Sequence, residues 1–252
     1  MQDFSTALWD AYKTYGRRDL PWRILPANPY HILVSEVMLQ QTQVPRVIPK
    51  YNEFLMKFPS LEALAAAPLA DVLKAWNGLG YNRRAKYLWK AAKASDGQLG
   101  TTHEQLLGLP GVGPNTAGAI LAYAYNQPAI FIETNVRTVY LHWFFKDQTD
   151  VPDSAIRALV EQTVDQQNPR KFYWALMDWG TELKRQKSNN HQSKHYTKQS
   201  KFEGSRRQIR GQVLKQLAAG QQPVSDDPRL PAVLEDLAKE GLIRLTKQGW
   251  TL

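Results

Sequence analysis

Apolar positions return every three or four residues from the start of the chain. Phe4, Leu8, Trp9 and Tyr12 fall on one side of a helix over residues 1–16, which Gly16 ends, and "RRDLPWR" then reads as an extended entry. Over residues 29–125, helix-length segments succeed one another between short Pro and Gly breaks: "FPSLEALAAAPLADVLKAW", "YNRRAKYLWKAAKA", "THEQLLGLPGVGPNTAGAILAYAY". The same spacing continues through "NVRTVYLHWFF", "PDSAIRALVEQTV" and "PRKFYWALMDWGTELK". Little alternates as strands do, so the pattern predicts an all-α chain up to residue 185. Between residues 184 and 202, Lys184, Arg185, Lys187, Lys194, Lys198 and Lys201 are interleaved with Asn, Gln, Ser and His. That stretch predicts a loop or a poorly packed arm, either a solvated linker or a phosphate-contacting segment. Beyond it, "SRRQIRGQVLKQL", "RLPAVLEDLAKEG" and "LIRLTKQGWTL" suggest two helices and a terminal hairpin, an order compatible with a small winged-helix unit.

Composition narrows the class. A chain of 252 residues with 43% hydrophobic content is globular, with room for two modest cores. A formal net charge of +9 points to a polyanionic partner, because Lys and Arg gain affinity by releasing phosphate counterions. Nucleic acid leads, and a membrane-spanning role is unsupported, since no apolar run approaches the roughly 18 residues a span requires. The first residues lack a basic stretch followed by an apolar one, which predicts a cytoplasmic, nucleoid-associated protein. Cysteine is absent, so disulfides, a thiol nucleophile and thiolate-bound zinc or iron–sulfur sites are excluded.

Three stretches carry candidate chemistry. In "LPGVGPNTAGAI", Pro110 breaks a helix, Gly111 and Gly113 permit a tight turn with positive φ, and a new helix starts near Asn115 and Thr116. Its unsatisfied N–H groups suit a phosphate. In "PYHILVSEVMLQQTQV", helical spacing puts Glu36 on one face with Ile32, Leu33, Leu39 and Gln40, a buried stripe. Desolvation there favours the protonated carboxyl that a general acid needs; the alternative is a structural carboxylate paired with Arg23 or Arg46. In "AIFIETNVRTVY", Glu133 is either a helix-terminus residue or half of a catalytic pair, with Thr134 or Asn135 the better side-chain cap.

Taken together, "LPWR", "VSEVMLQQTQV", "WNGLGYNRRAKYL", "LPGVGPNTAGAI" and "NVRTV" resemble the helix-hairpin-helix (HhH-GPD) DNA glycosylase superfamily, most closely the MutY-like adenine glycosylases, over about residues 17–180. The resemblance implies two α-helical lobes with a DNA groove between them: a barrel over residues 21–130, a second lobe of residues 1–20 and 131–204, and a tail over 205–252. It implies a monofunctional glycosylase that flips a mispaired adenine, opposite 8-oxoguanine or guanine, out of double-stranded DNA. Glu36 would protonate the leaving base, and Glu133, with Asn135, would stabilise the cationic sugar while water completes hydrolysis. Trp22, Arg23, Leu39, Gln41 and Thr42 would line the flipped base and its partner strand, and Tyr81 would be a wedge near the opposing lesion rather than a core tyrosine. The carbonyls of Leu107, Leu109 and Val112 would hold a monovalent cation, and Gly111, Gly113 and Asn115 a phosphate. Asn115 occupies the position of the Schiff-base lysine of bifunctional relatives, which implies base excision without strand cleavage. The resemblance also implies a monomer with no required cofactor.

The chain departs from that pattern in three places. Where relatives carry four cysteines around an iron–sulfur cluster, this chain has Lys184 and a basic, amide-rich segment; Lys184, Lys194, Lys198 and Lys201 would then dock the DNA backbone. The 50 or so residues beyond the basic segment look too few for the separate domain with which such relatives read 8-oxoguanine, so none is expected in them. Glu133 stands where the family has an aspartate, and a displacement of about an ångström can cost on the order of a hundredfold in rate. The competing functions are a glycosylase for thymine, uracil or another modified base, and a non-catalytic DNA-damage binder.

Overall fold

The computed structural model describes residues 1–197 and 200–252, so Lys198, one of the expected backbone contacts, lies outside the described residues. The order is α1 (Gln2–Tyr15), a 3-10 turn (Pro21–Arg23), α2 (Pro29–Leu39), α3 (Val44–Lys57), α4 (Leu61–Ala66), α5 (Leu69–Ala75) and α6 (Arg83–Ala94). It continues with α7 (His103–Leu107), α8 (Pro114–Tyr125), α9 (Thr134–Phe144), α10 (Asp153–Thr163), α11 (Pro169–Gln186) and a second 3-10 turn (Asn190–Gln192). Helices α12 (Arg206–Ala218) and α13 (Leu230–Lys239) precede an antiparallel hairpin, β1 (Arg244–Thr246) with β2 (Gly249–Thr251), pairing Leu245 with Trp250. The all-α expectation and the terminal hairpin are met. "RRDLPWR" departs from an extended entry in that Pro21, with its φ preset for a helical turn, opens the 3-10 turn.

Contacts gather the chain into two units. The first comprises residues 1–33, 101–107 and 112–198. Its central element is α11, which packs on α1, α8 and α9. Phe4, 1% exposed, sits among the rings of Tyr140, Trp143, Phe144 and Trp179 at 5.0–6.3 Å. Burial of such a side chain stabilises by about 1.5–3 kcal/mol. Phe131 stacks on Tyr173 at 4.0 Å, and the Tyr173 hydroxyl donates to the Ala129 carbonyl at 2.7 Å. Asn126, left-handed at φ 53°, ends α8, whose last carbonyls at Tyr123 and Ala124 accept from the Arg170 guanidinium at 2.6 and 2.9 Å. Gly180 on α11 is required by close approach: a Cβ there would lie 2.6 Å from the Asn135 carbonyl oxygen at the start of α9.

The second unit comprises residues 34–100, 108–111 and 199–252. Val47, Phe54, Leu64, Val72, Trp76 and Leu88 build its core, with α6 packed on α4 and α5. Ser60 caps α4 by accepting from the Ala63 N–H at 3.2 Å. In the C-terminal stretch, α12 turns Ile209, Val213, Leu214 and Leu217 inward and packs on both α13 and α5.

The basic segment, expected to be a loop or a poorly packed arm, is a loop whose residues 189–193 are packed. Gln192 is buried, and its amide donates to the carbonyls of Phe145, Lys146 and Gln148 at 3.0, 3.0 and 2.9 Å. Asn189 donates to the Thr138 carbonyl at 3.0 Å, and Asn190 accepts from the Thr138 hydroxyl at 3.0 Å. A bridge between Val151 and Ser193 completes the clasp. The Gln192 amide serves carbonyls just after the end of α9 that water would otherwise have to satisfy, while Asn189 and Asn190 tie the segment to Thr138 within that helix.

Candidate functional site

Helix α2 is apolar all round. From Ile32 to Met38 every residue is buried except Glu36, which is half-buried. The expected one-sided stripe is therefore replaced by a helix surrounded by core, in which the single carboxylate occupies the position that reaches a surface. Of the two arginines expected as partners of a structural carboxylate, Arg23 is engaged elsewhere, by Asp178.

Arg84, which the sequence reading did not single out, organises the turn after α2. Its Nη1 donates to the carbonyls of Val37, Met38 and Gln40 at 2.8, 2.9 and 2.6 Å, at the C-terminal end of α2. Its Nη2 donates to Thr42 Oγ1 at 3.1 Å and to the carbonyls of Leu79 and Gly80 at 3.2 and 3.1 Å. Burial lowers its pKa to about 10. One guanidinium thus joins the "LQQT" turn to the "GLGY" turn, bringing Leu39, Gln41 and Thr42 into the same neighbourhood as Tyr81. Gln41 is exposed at φ 54°, and Tyr81 is 38% exposed at φ 46°, so Tyr81 is no core tyrosine.

In the first unit, the side chain of Asn115 clamps the backbone of Ile132. Its Nδ2 donates to the Ile132 carbonyl at 2.7 Å and its Oδ1 accepts the Ile132 N–H at 3.2 Å. The next residue, Glu133, is the N-cap of α9, its Oε1 accepting from the N–H groups of Asn135 at 2.6 Å and Val136 at 3.3 Å. This corrects the expectation that Thr134 or Asn135 would cap: the Glu133 carboxylate folds back onto the first turn of its own helix. Asn135 lies under α11, with Nδ2 3.6 Å from Met177 Sδ and Oδ1 buried without a hydrogen-bond partner among the described residues. Beside this helix start, burial pushes the Lys184 ammonium below the usual lysine range, Glu133 opposing the shift and Arg17 adding to it. Lys184 is accordingly half-buried, whereas Lys194 and Lys201 are exposed.

Trp22 and Arg23 are both buried. Arg23 donates to Asp178 Oδ2 and Oδ1 at 2.7 and 3.0 Å and to the Arg17 carbonyl at 2.9 Å, with its guanidinium 5.2 Å from the Trp174 ring centre. Arg17 completes the cluster through its Nε at 2.7 Å from Asp178 Oδ1. Both Nη groups of Arg23, expected to line the flipped base, are thus engaged within the core of the first unit.

At the glycine pair, Gly111 has φ 81° and a Cβ there would lie 2.5 Å from Tyr87 Cβ, so glycine is required twice over. Gly113 corrects the expectation, being extended at φ −90°, with open space where a Cβ would stand, and α8 begins at Pro114. Leu109 and Val112 are buried and Leu107 is exposed. Among the described residues, no group of three or more His, Asp or Glu side chains suits a metal ion, and no helix is long and apolar enough to cross a membrane. An iron–sulfur cluster does not fit residues 184–194, which carry no thiolate and fold as the amide clasp.

Comparisons place the chain among known proteins. The family model described as "HhH-GPD superfamily base excision DNA repair protein" matches residues 34–164. An adenine DNA glycosylase of Buchnera aphidicola subsp. Baizongia pistaciae is 35% identical over 185 residues, covering 70% of this chain and 52% of the relative. One from Mycobacterium tuberculosis (strain ATCC 25618 / H37Rv) is 43% identical over 133 residues, 51% of this chain and 44% of the relative. One from Mus musculus is 40% identical over 181 residues, 65% of this chain and 35% of the relative. The chain spans about half the length of the curated relatives it matches, or less. Among solved structures, a thermostable thymine-DNA glycosylase superposes with a TM-score of 0.63 at 26% identity, covering 71% of this chain and 85% of that one. A non-covalent endonuclease III–DNA complex gives 0.58 at 20% identity, covering 70% and 83%, a likeness of fold.

Proposed function

The chain belongs to the HhH-GPD superfamily of base excision DNA repair proteins, and from that membership we propose that it hydrolyses the N-glycosidic bond of mispaired adenine in double-stranded DNA, opposite 8-oxoguanine or guanine, without cutting the strand. The observation that carries this is Glu36, the one residue between 32 and 38 that is not buried, in the middle of a helix whose neighbouring positions are closed to water. Glu36 gives its proton to a ring nitrogen of adenine, the C–N bonding pair leaves with the base, and water adds to the oxocarbenium-like sugar, its proton returning to the Glu36 carboxylate. Glu133 stabilises the developing cation, its Oε1 serving the α9 cap and its Oε2 carrying no bond in that cap. The adenine glycosylase names of the curated relatives support the target base. Asn115, an amide without a nucleophilic amine, supports hydrolysis over strand cleavage.

The remaining assignments rest on the same reading. Gln41, Thr42, Leu39 and Trp22 contact the displaced nucleotide and its partner strand. Gly111, Gly113, Lys194, Lys201 and Lys198 meet phosphates, with a monovalent cation at the carbonyls of Leu107, Leu109 and Val112. The protein acts as a monomer on chromosomal DNA in the cytoplasm, and α12, α13 and the hairpin act as a winged-helix-like tail.

Single-turnover assays on duplexes with A:8-oxoG, A:G, T:G, U:G and hypoxanthine pairs, with and without alkali, test the proposal. Abasic sites from A:8-oxoG or A:G, with breaks only after alkali, are expected. The likeness to the thymine-DNA glycosylase favours a second reading, which release from T:G or U:G alone would establish. Binding without release from any duplex would leave a damage binder.

A further inference from the structure

Tyr81 is held in an unusual setting. Gly78, Gly80 and Tyr81 all have positive φ, at 97°, 72° and 46°, so the turn before α6 sets the ring at the surface on a backbone that tyrosine seldom adopts. Strain of that kind gathers where a side chain must be presented. Two guanidiniums flank the ring, Arg84 at 5.5 Å and Arg207 at 5.9 Å from its centre. Both Nη groups of Arg84 are engaged by the two turns it joins. Arg207 comes from α12, and its Nη1 donates to the Tyr81 hydroxyl at 2.8 Å while its Nη2 donates to the Ser200 carbonyl at 2.7 Å and hydroxyl at 3.2 Å.

The neighbours of Arg207 show what is particular about it. Arg206 and Arg210, on the same helix, tie α12 to α13 through Asp236 and Glu240, each cation facing a carboxylate. Arg207 forms no ion pair among the described residues; its partners are a phenol, a carbonyl and a hydroxyl. Two cations without carboxylates therefore stand at one exposed aromatic ring. A ring that stacks on any base, beside a planar fork of N–H donors, is the chemistry that recognises a purine with an acceptor edge. A solvent-exposed structural tie would use a carboxylate, as its neighbours do.

We infer that Arg207 and Tyr81 form one reading element for the base opposite the target, Tyr81 stacking and Arg207 donating to the O6 of a guanine-type base. This rests on the proposed action on a purine mispair. It makes the C-terminal stretch, which lies outside the residues matched by the family model, the carrier of a specificity-determining residue.

The test uses equilibrium binding, which does not depend on turnover. The full chain is titrated with duplexes carrying non-hydrolysable 2′-fluoro-deoxyadenosine opposite guanine or opposite 2-aminopurine, a purine without O6. The parent is expected to bind the guanine duplex about tenfold more tightly. Arg207→Met should erase that preference while binding the 2-aminopurine duplex as the parent does, Arg207→Lys should restore part of it, and thermal melts of both variants should match the parent. Equal weakening on both duplexes, or no change on either, would overturn the inference. Adenine release absent from every substrate, with the binding preference intact, would instead remove the hydrolytic reading and leave this one standing.

Discussion

Glu133 holds the N–H of Asn135 at 2.6 Å, so the carboxylate proposed to stabilise the sugar cation is also the cap of its own helix. The two roles use different oxygens and are separable by substitution. Upstream, Asn115 fixes Ile132 from both sides, so the residue before the carboxylate cannot drift. Downstream, Gly180 admits the backbone of Asn135 against α11. The glutamate is thus held by its neighbours at three points of the chain, which is how a longer side chain can occupy a place where the resemblance implies aspartate.

Glu133→Asp keeps both a capping oxygen and the negative charge. It should melt within a few degrees of the parent and release adenine at least as fast in single-turnover assays. Glu133→Ala should lose about 1 kcal/mol with the cap, or about 2–4 °C in Tm, and lose release altogether. An alanine variant that melts lower but excises at the parental rate would reduce Glu133 to a cap.

Replacing Asn115 by alanine removes both bonds to Ile132. The expected cost is about 1–3 kcal/mol, together with slower excision, because the backbone leading to Glu133 loosens. Asn115→Asp can still accept the Ile132 N–H but sets a carboxylate against the Ile132 carbonyl, so it should be no better. Parental rates in both variants would detach the clamp from catalysis.

Arg84→Met should be the most damaging single change in the second unit, costing about 3–5 kcal/mol, because carbonyls from two turns lose their donor in the interior. Arg84→Lys should rescue little, since an ammonium offers three donors at one point where the site needs a fork. Hydrogen exchange would check the assignment by deprotecting both residues 39–43 and residues 78–82. Deprotection of one turn alone would show that Arg84 does not couple them.

Much of this was legible in the sequence, and the exceptions have a common cause. Helical spacing gives the elements, and "SEVMLQQTQV", "GLGY" and "LPGVGP" give the family, because local propensity and backbone demands leave a local imprint. The Arg84 hub, the Asn115 clamp and the pairing of Arg23 with Asp178 are long-range bonds to main-chain groups or to a distant carboxylate, and spacing carries no mark of them. Gly113 misled because two glycines near a turn look alike, whereas only Gly111 has a positive φ. The amides of "SNNHQ" misled because a buried Gln that satisfies carbonyls has the same composition as a solvated one.

Acid should weaken the α9–α10 junction in a defined way. Arg137 bonds Asp153 through Nε at 2.7 Å and Nη2 at 2.6 Å and holds its carboxyl below the usual aspartate range. A depressed folded-state value stabilises the fold above the unfolded aspartate pKa of about 4, and the gain is lost as pH falls through the lower folded value. Because the pair is partly exposed, the effect should stay within about 1 kcal/mol. Parent and Asp153→Asn should therefore differ in Tm at neutral pH and converge once the pH has fallen below the lowered folded value. A difference that persists unchanged into acid would place the effect in packing rather than in the charge.

The amide clasp holds the residues that follow α9 through one buried side chain. Gln192 serves three carbonyls from a buried position, so Gln192→Ala leaves three acceptors without their donor and opens the interior to water. The expected cost is about 2–4 kcal/mol, more than for a typical surface substitution. Gln192→Glu separates the hydrogen bonds from packing: it keeps the shape, removes the donors and sets a carboxylate against the carbonyls, so it should destabilise at least as much as alanine. Exchange protection should fall at residues 145–151 and 189–194 together, since Val151 and Ser193 are bridged. If the Gln192 variants melt like the parent and only residues 189–194 lose protection, the segment is a covering strip and the end of α9 is held by its own aromatic packing.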